Sequence, residues 1–296
     1  MTICPLVHLN GAVLPLAEAR ISPLDRGFLF AHAAYEVTAV YGGRFVDLEG
    51  HIARLSRTLA GISIPDPHSA EGWASLHREL IAHNDLVEGL VYLQVTGGAY
   101  DARDFAGPQA FTPTVFAYAD IKPLIGPAAR DGISAVFLDD SRWKKRDMKT
   151  TQLLSQALAY RTAKGQGADT ALMVEDGCVT EAASANAWIV TQAGEIITRD
   201  LSPSILSGIT RAGVMKLRET GAFTITERAL TPDEAVNAAE VFTTSAGAMI
   251  APVTHLEGRP VGSGKPGPVT RRLQQLYYEA MGADVSSAAP WVLERA

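Results

Sequence analysis

Between Ile121 and Gly132 the hydrophobic patterning of this chain stops. Pro123, Gly126, Pro127 and Gly132 fall close together there. Proline lacks an amide N–H and glycine loosens the backbone, so neither a helix nor a strand runs easily through such a stretch. A 296-residue chain is long enough for two medium domains. The expected organisation is a small α/β domain over 1–120, a linker over 121–132 and a larger domain over 133–296.

On either side of this break, strand and helix patterns alternate irregularly. Asn10-Gly11 between short apolar runs predicts a hairpin. Tyr35 to Tyr41 carries β-formers, and Gly42-Gly43 turns the chain into Arg44-Phe45-Val46. Asp47 has the character of a helix cap, and Ile52, Leu55 and Leu59 share a face of the helix that follows. A second helix is predicted from Ala70 to His83, with Trp73, Leu76 and Leu80 inward. Val91 to Thr96 and Thr114 to Ala119 are expected strands.

After the break, Ile133 to Leu138 is an expected strand and Gln152 to Lys164 a helix. Ala171 to Val174 and Cys178 to Thr180 form a hairpin around Glu175-Asp176-Gly177, followed by a strand from Ala187 to Val190. Thr210 to Glu219 is a helix, Val241 to Thr244 a strand and Pro268 to Met281 a final helix. These patterns imply an α+β (mixed α/β) architecture in two lobes.

Composition narrows the function classes. The net charge of −6 disfavours nucleic acid or a membrane surface as a global partner. Cys4 and Cys178 are too few for a disulfide framework, which fits a reducing compartment. Residues 1–10 lack the charged start and apolar stretch of a signal peptide. No apolar run approaches the roughly 20 residues of a spanning helix. A soluble, cytoplasmic protein is expected.

Candidate functional residues are ambiguous one at a time. Lys149, one of seven lysines, follows a strand and the basic run Arg142-Trp143-Lys144-Lys145-Arg146 and precedes a helix. Such a junction can place a nucleophilic amine deep in a cleft, or simply a lysine on the surface. Glu181 and the small residues after it, through Ser184 to Asn186, could line a tight pocket or form an ordinary turn. Ser207-Gly208-Ile209-Thr210 opens a helix whose free N–H groups suit a phosphate, although Thr210 also suits a cap. Thr243-Thr244-Ser245-Ala246-Gly247 is a second small-residue turn. Arg54 is expected on a face away from Ile52, Leu55 and Leu59, gripping either a local carboxylate or a phosphate.

Taken in order, Arg26-Gly27-Phe28, Tyr35-Glu36-Val37, His51-Ile52-Ala53-Arg54-Leu55, Asp147-Met148-Lys149, Val179-Thr180-Glu181, Gly208-Ile209-Thr210 and Phe242-Thr243-Thr244-Ser245 span most of the chain. The series resembles the fold-type IV pyridoxal-phosphate family. That family includes D-amino-acid transaminases, branched-chain aminotransferases, (R)-amine transaminases and aminodeoxychorismate lyases.

The resemblance implies a two-domain fold whose larger domain binds pyridoxal 5'-phosphate. It makes Lys149 the catalytic lysine, carrying the cofactor as a Schiff base. Arg54 then resembles the phosphate-binding arginine and Glu181 the carboxylate paired with the pyridine nitrogen. Ile209 and Thr210 resemble the phosphate-binding helix start, Leu206 the apolar residue packed on the ring, and Ser245 and Ala246 the second phosphate turn. Many relatives have threonine where this chain has Ala246, which offers only its backbone N–H.

Tyr35, His32, Arg103 and Ser184 are the residues expected near substrate. Tyr35-Glu36-Val37, the basic run before Lys149 and Arg103-Asp104-Phe105 resemble the D-amino-acid transaminase branch. There an arginine helps hold the substrate α-carboxylate. Thr96-Gly97-Gly98, His32-Ala33 and Gly247-Ala248-Met249 depart from that branch, the last toward (R)-amine transaminases. His32 suits a local hydrogen-bonding role better than acid/base chemistry. The implied partners are a small amino donor and a 2-oxo acid, with a homodimer as the assembly and no metal.

Overall fold

The computed structural model describes residues 2–294. The chain divides into two compact units, one built from Met1–Leu124 with Met148–Leu153, the other from Ile125–Asp147 with Leu154–Ala296.

The first unit holds β1 (Thr2–Leu9), β2 (Ala12–Pro15), α1 (Arg26–Phe30), β3 (Ala33–Tyr41), β4 (Arg44–Phe45), α2 (Leu48–Gly61), α3 (Ala70–His83), β5 (Gly89–Thr96) and β6 (Thr114–Ile121). The strands form an antiparallel sheet in the order β2-β1-β6-β5-β3-β4. Asn10 and Gly11, both at positive φ, make the two-residue β1–β2 turn that their sequence predicts. Ser69 caps α3 by accepting from the Gly72 N–H. Asp47 differs from its expected role: it precedes α2 in a left-handed conformation, and its side chain caps nothing.

The α2 and α3 helices pack their apolar stripes on one face of this sheet. Leu55, Leu59, Trp73 and Leu80 meet Val91, Leu93, Val95 and Ala117 in the core. The other sheet face carries a run of rings. Tyr35 stacks on Tyr92 at 5.7 Å between centroids, and Tyr92 on Tyr118 at 5.0 Å.

The segment carrying Lys149 belongs to this first unit, not to the residues that flank it in sequence. Backbone pairing is the reason. The Tyr35 N–H donates to the Lys149 carbonyl at 3.0 Å, and the Thr151 N–H to the Ala33 carbonyl at 3.1 Å. The helix expected to follow Lys149 directly starts only at Leu154.

The second unit contains α4 (Pro127–Asp131), β7 (Ile133–Asp139), α5 (Leu154–Gly165), β8 (Thr170–Glu175), β9 (Cys178–Ala182), β10 (Asn186–Val190), β11 (Ile196–Thr198), α6 (Ile209–Lys216), β12 (Ile225–Glu227), α7 (Pro232–Val236), β13 (Glu240–Ser245), β14 (Met249–Leu256), β15 (Arg259–Pro260), α8 (Pro268–Ala280) and α9 (Val285–Ala288). Its sheet runs β12-β11-β10-β13-β14-β7-β8-β9, with β15 on β14. The β7 strand pairs in parallel with both β14 and β8. The 121–132 stretch is not bare linker, since it ends β6 and forms α4.

One connection forces this sheet to curl. Residues 183–185 join β9, at one edge, to β10, five places away in strand order. A flat sheet would separate those strands by about 24 Å, and so short a link spans only about 14 Å. The edge strand therefore bends back toward β10, which places Glu181 at the end of β9 close to Asn186 at the start of β10.

Trp73 is fully buried and Val87 is 64% exposed. Trp73→Ala should lower stability by about 3–5 kcal/mol. Val87→Ala should stay within about 0.5 kcal/mol. Urea unfolding of both variants followed by circular dichroism measures the difference.

Candidate active site

In the first unit, β3 and α2 bring together a buried charged cluster. Alternation along β3 turns Glu36 to the helix side and Tyr35 to the ring-bearing side. The Arg54 Nε and Nη2 donate to the two Glu36 oxygens at 2.8 and 2.7 Å, a fork-like pair. His51 Nδ1–H donates to Glu36 Oε2 at 2.7 Å. Arg54 is therefore buried with His51 and Thr58, on a polar stripe beside Ile52, Leu55 and Leu59. This corrects the expectation that it sits on a face away from them.

Burial alone would raise the Glu36 carboxyl, but Arg54 and His51 outweigh it and hold the group well below its ordinary value. Burial pushes the His51 imidazole down beyond what Glu36 restores, with the Arg54 and Lys149 charges acting in the same direction. His51 is thus a neutral donor at pH 7.

Lys149 is half-buried near this cluster. Its Nζ lies 4.2 Å from the centroid of the Tyr35 ring. The Lys149 N–H donates to Thr58 Oγ1 at 3.3 Å, which ties the segment to α2. Among the described residues no carboxylate pairs with the amine.

The other residues expected near substrate fall into separate surroundings. His32 Nδ1 accepts from Arg26 Nε at 3.1 Å, and Nε2–H donates to the Ile62 carbonyl at 2.8 Å. Both ring nitrogens are committed to hydrogen bonds within the first unit. Arg103 is exposed, and its guanidinium lies 5.4 Å from the Phe30 ring and 5.2 Å from the Phe105 ring. Arg26 anchors that loop by donating to the carbonyls of Asp104 and Phe105.

In the second unit, Glu181 is 3% exposed. Arg142 Nη1 donates to its Oε1, and Asn186 Nδ2 donates to its Oε2 at 2.9 Å. The Leu206 N–H reaches both oxygens, at 3.3 and 3.2 Å. Three donors on two oxygens leave acceptor capacity, since a carboxylate offers about four lone-pair sites. Burial pushes the Glu181 carboxyl up, and Arg142 offsets this only in part.

Gly208 caps α6, and no side chain caps the helix. No acidic side chain lies in the first turn, so its free N–H groups and dipole suit an anion. A Cβ on Gly208 would meet Asn186 Oδ1 at 2.0 Å, so glycine is needed for the helix start to approach Asn186. Thr210 is buried inside the first turn and is not the cap. Ser245 ends β13 opposite Met249, with Ala246 in the turn between them. Ser184 is exposed and hydrogen-bonds Tyr160 Oη at 2.5 Å.

Glu36, Arg142 and Asn186 were not singled out as site residues by sequence. Glu36 and Asn186 lie inside quoted motifs, and Arg142 lies in the basic run. What marks Glu36 and Asn186 is a charged or amide side chain within an otherwise β-forming or small-residue stretch; nothing sets Arg142 apart within its basic run.

The Glu36 carboxyl has a folded value below its unfolded value near 4.5. Its stabilisation is complete above about pH 4.5 and is lost as pH falls toward the folded value. Glu36→Gln should cost about 3–5 kcal/mol at pH 7, because Arg54 is left buried without its counter-ion. It should also flatten the stability profile between pH 5 and 2. Urea unfolding across that range tests both.

The family model described as Amino-transferase class IV matches residues 33–256. The D-alanine aminotransferase of Bacillus licheniformis is 37% identical over 270 residues, covering 90% of this chain and 94% of that protein. That of Staphylococcus aureus (strain MSSA476) is 32% identical over 269 residues, covering 91% and 95%. Among solved structures, the Escherichia coli branched-chain amino acid aminotransferase superposes with a TM-score of 0.87 at 22% identity, covering 93% and 94%. The branched-chain amino acid aminotransferase of Thermobaculum terrenum, in its PLP form, gives 0.82 at 23%, covering 95% and 94%. At these identities the structures speak for the fold alone, and it is the α+β fold expected from sequence. The chain therefore belongs to the class IV amino-transferase family and is a pyridoxal-phosphate-dependent aminotransferase.

Proposed function

We propose that this enzyme transfers the amino group of D-alanine, or of a similar D-amino acid, to a 2-oxo acid such as pyruvate or 2-oxoglutarate. The observation that carries the chemistry is Lys149, a half-buried amine set over the Tyr35 ring with no carboxylate pairing with it among the described residues. An unpaired amine is free to act as nucleophile and base. The choice of donor rests on similarity to D-alanine aminotransferases over nine-tenths of the chain.

Lys149 Nζ would hold the cofactor covalently. Glu181 would accept from its ring nitrogen, using the acceptor capacity left by Arg142, Asn186 and Leu206. Its phosphate would be held by the Ile209 and Thr210 N–H groups at the start of α6, by the Ser245–Ala246 turn, and by Arg54. Arg54 already gives two donors to Glu36, which fixes the direction of its guanidinium. The Leu206 side chain would pack on the ring. When bound, the cofactor supplies a pyridinium that accepts electron density from the substrate α-carbon.

The chain's own residues do the rest. Glu181 would keep the ring nitrogen protonated. Lys149 Nζ, as a free amine, would take the proton from the substrate α-carbon and deliver it to the cofactor's C4′ in the first half of the reaction, and would carry a proton the opposite way in the second. Tyr35 limits where that amine can swing. Arg103, exposed but flanked by Phe30 and Phe105, offers a fork for the substrate carboxylate. A cytoplasmic homodimer belongs to the same reading, and exposed apolar side chains such as Phe28, Phe105 and Leu154 support its dimeric part.

Initial rates with D-alanine and (R)-1-phenylethylamine, at equal concentration with 2-oxoglutarate, test the donor. D-Alanine should react faster, and turnover of the amine alone would overturn the reading. Lys149→Ala should lose both transfer and the visible absorbance of lysine-bound cofactor. Borohydride treatment of the wild-type enzyme followed by peptide mass mapping should place the cofactor on Lys149.

A further inference from the structure

Behind Glu181 lies a set of buried charges that the reaction does not use. Asp140 is fully shielded, with 0% side-chain exposure, and the Arg142 and Arg146 side chains are 5% and 2% exposed. Asp140 accepts from Arg142 Nε at 2.9 Å and from Arg142 Nη2 at 2.7 Å. The Thr180 hydroxyl donates to Asp140 Oδ2 at 2.6 Å. Arg146 Nη1 stands 3.5 Å from the same oxygen. Arg146 in turn forks onto Glu175 at 2.7 and 3.0 Å, and Lys144 pairs with Glu175 at the surface.

The charges therefore alternate in one file, Glu175–Arg146–Asp140–Arg142–Glu181. Asp140 accepts from two of the three Arg142 guanidinium nitrogens, Nε and Nη2, so Nη1 is left to donate to Glu181. The backbone reinforces the file: the Arg146 N–H donates to the Pro203 carbonyl, and Arg146 Nη2 to the Arg142 carbonyl. Buried ions cost several kcal/mol each to desolvate, so a fold that needed only a packed strand end would have no use for four of them.

We propose that Asp140 and Arg146 are positioning residues for Glu181, locking the Arg142 guanidinium in one orientation so that the Glu181 carboxyl stays fixed toward the cofactor's ring nitrogen. This rests on the reading of Glu181 given above. The file acts at a distance. Asp140 removes the freedom of Arg142 to turn toward solvent, and Arg146 shares the charge of Asp140 so that Arg142 is not drawn wholly onto it. Glu175 holds Arg146 at the outer end, where Arg146 and Lys144 keep its carboxyl at about 2.

The test uses pyridoxal 5'-phosphate binding to the apoprotein, and the absorbance of the reconstituted enzyme as a function of pH. Asp140→Asn should weaken cofactor binding about tenfold, the scale on which outer supporting contacts act. It should also shift the pH midpoint of the bound cofactor's spectrum, while KM for D-alanine changes less than twofold. In a Glu181→Gln background, Asp140→Asn should add nothing further, because its effect passes through Glu181. Wild-type affinity and spectrum in Asp140→Asn would overturn the proposal, as would full additivity with Glu181→Gln. If Asp140→Asn does not fold, Glu175→Gln at the surface end decides. About twofold weaker binding that vanishes in the Glu181→Gln background supports the file, and unchanged binding overturns it. A Glu181→Gln enzyme with wild-type cofactor binding and spectrum would instead refute the assignment of Glu181 itself.

Discussion

The hydrogen bond from the Tyr35 N–H to the Lys149 carbonyl sets the geometry on which the chemistry proposed for Lys149 depends. Lysine has a long, flexible side chain, and its amine is useful only if its Cα is fixed. Here the backbone is held on both sides, by Tyr35 and by the Thr151–Ala33 bond, and the Lys149 N–H is held by Thr58. The side chain then crosses the face of Tyr35. Such ties pre-organise a reactive group without using its reactive atom.

Two buried carboxylates show how environment divides labour. Glu36 and Glu181 are both almost inaccessible, and each receives an arginine. Glu36 faces a bidentate guanidinium and an imidazole N–H, so its ionised form is stabilised. Glu181 faces one guanidinium edge, one amide and one shared N–H, with the negative Asp140 nearby, so burial prevails and its proton affinity rises. The first suits a fixed counter-ion. The second suits a group that must share a proton with a ring nitrogen.

Much of the fold was legible because its punctuation is local. Asn10-Gly11, Gly42-Gly43 and Asp176-Gly177 each supply two residues at positive φ, and hairpins form at all three. The α3 helix follows its period from Ala70 to His83. The β14 strand was missed because Pro252 interrupts its pattern. In the fold Pro252 lies just outside the first rung with β7, at Val253–Ile133, where a missing N–H is tolerated.

The return of residues 148–153 to the first unit had no local signature, since backbone pairing across a hundred residues leaves none. Arg54 was misplaced for a related reason. A polar residue carries no hydrophobic period, so only Glu36 on another element explains its burial. The motifs around Lys149, Glu181 and Gly208 were visible as an ordered set, whereas their supports Asp140, Arg142 and Asn186 became visible only through distances.

The short link between β9 and β10 also bears on how the protein is made. These strands are neighbours in sequence but cannot pair as a hairpin, because β10 lies between β11 and β13. All five residues of β10 are buried in the finished sheet. At a synthesis rate of about 5–20 residues per second, the roughly fifty residues to β13 take about 3–10 s to emerge. For that interval a strand destined for full burial has one flank without its partner, so the topology itself sets a delay between making β10 and completing its pairing.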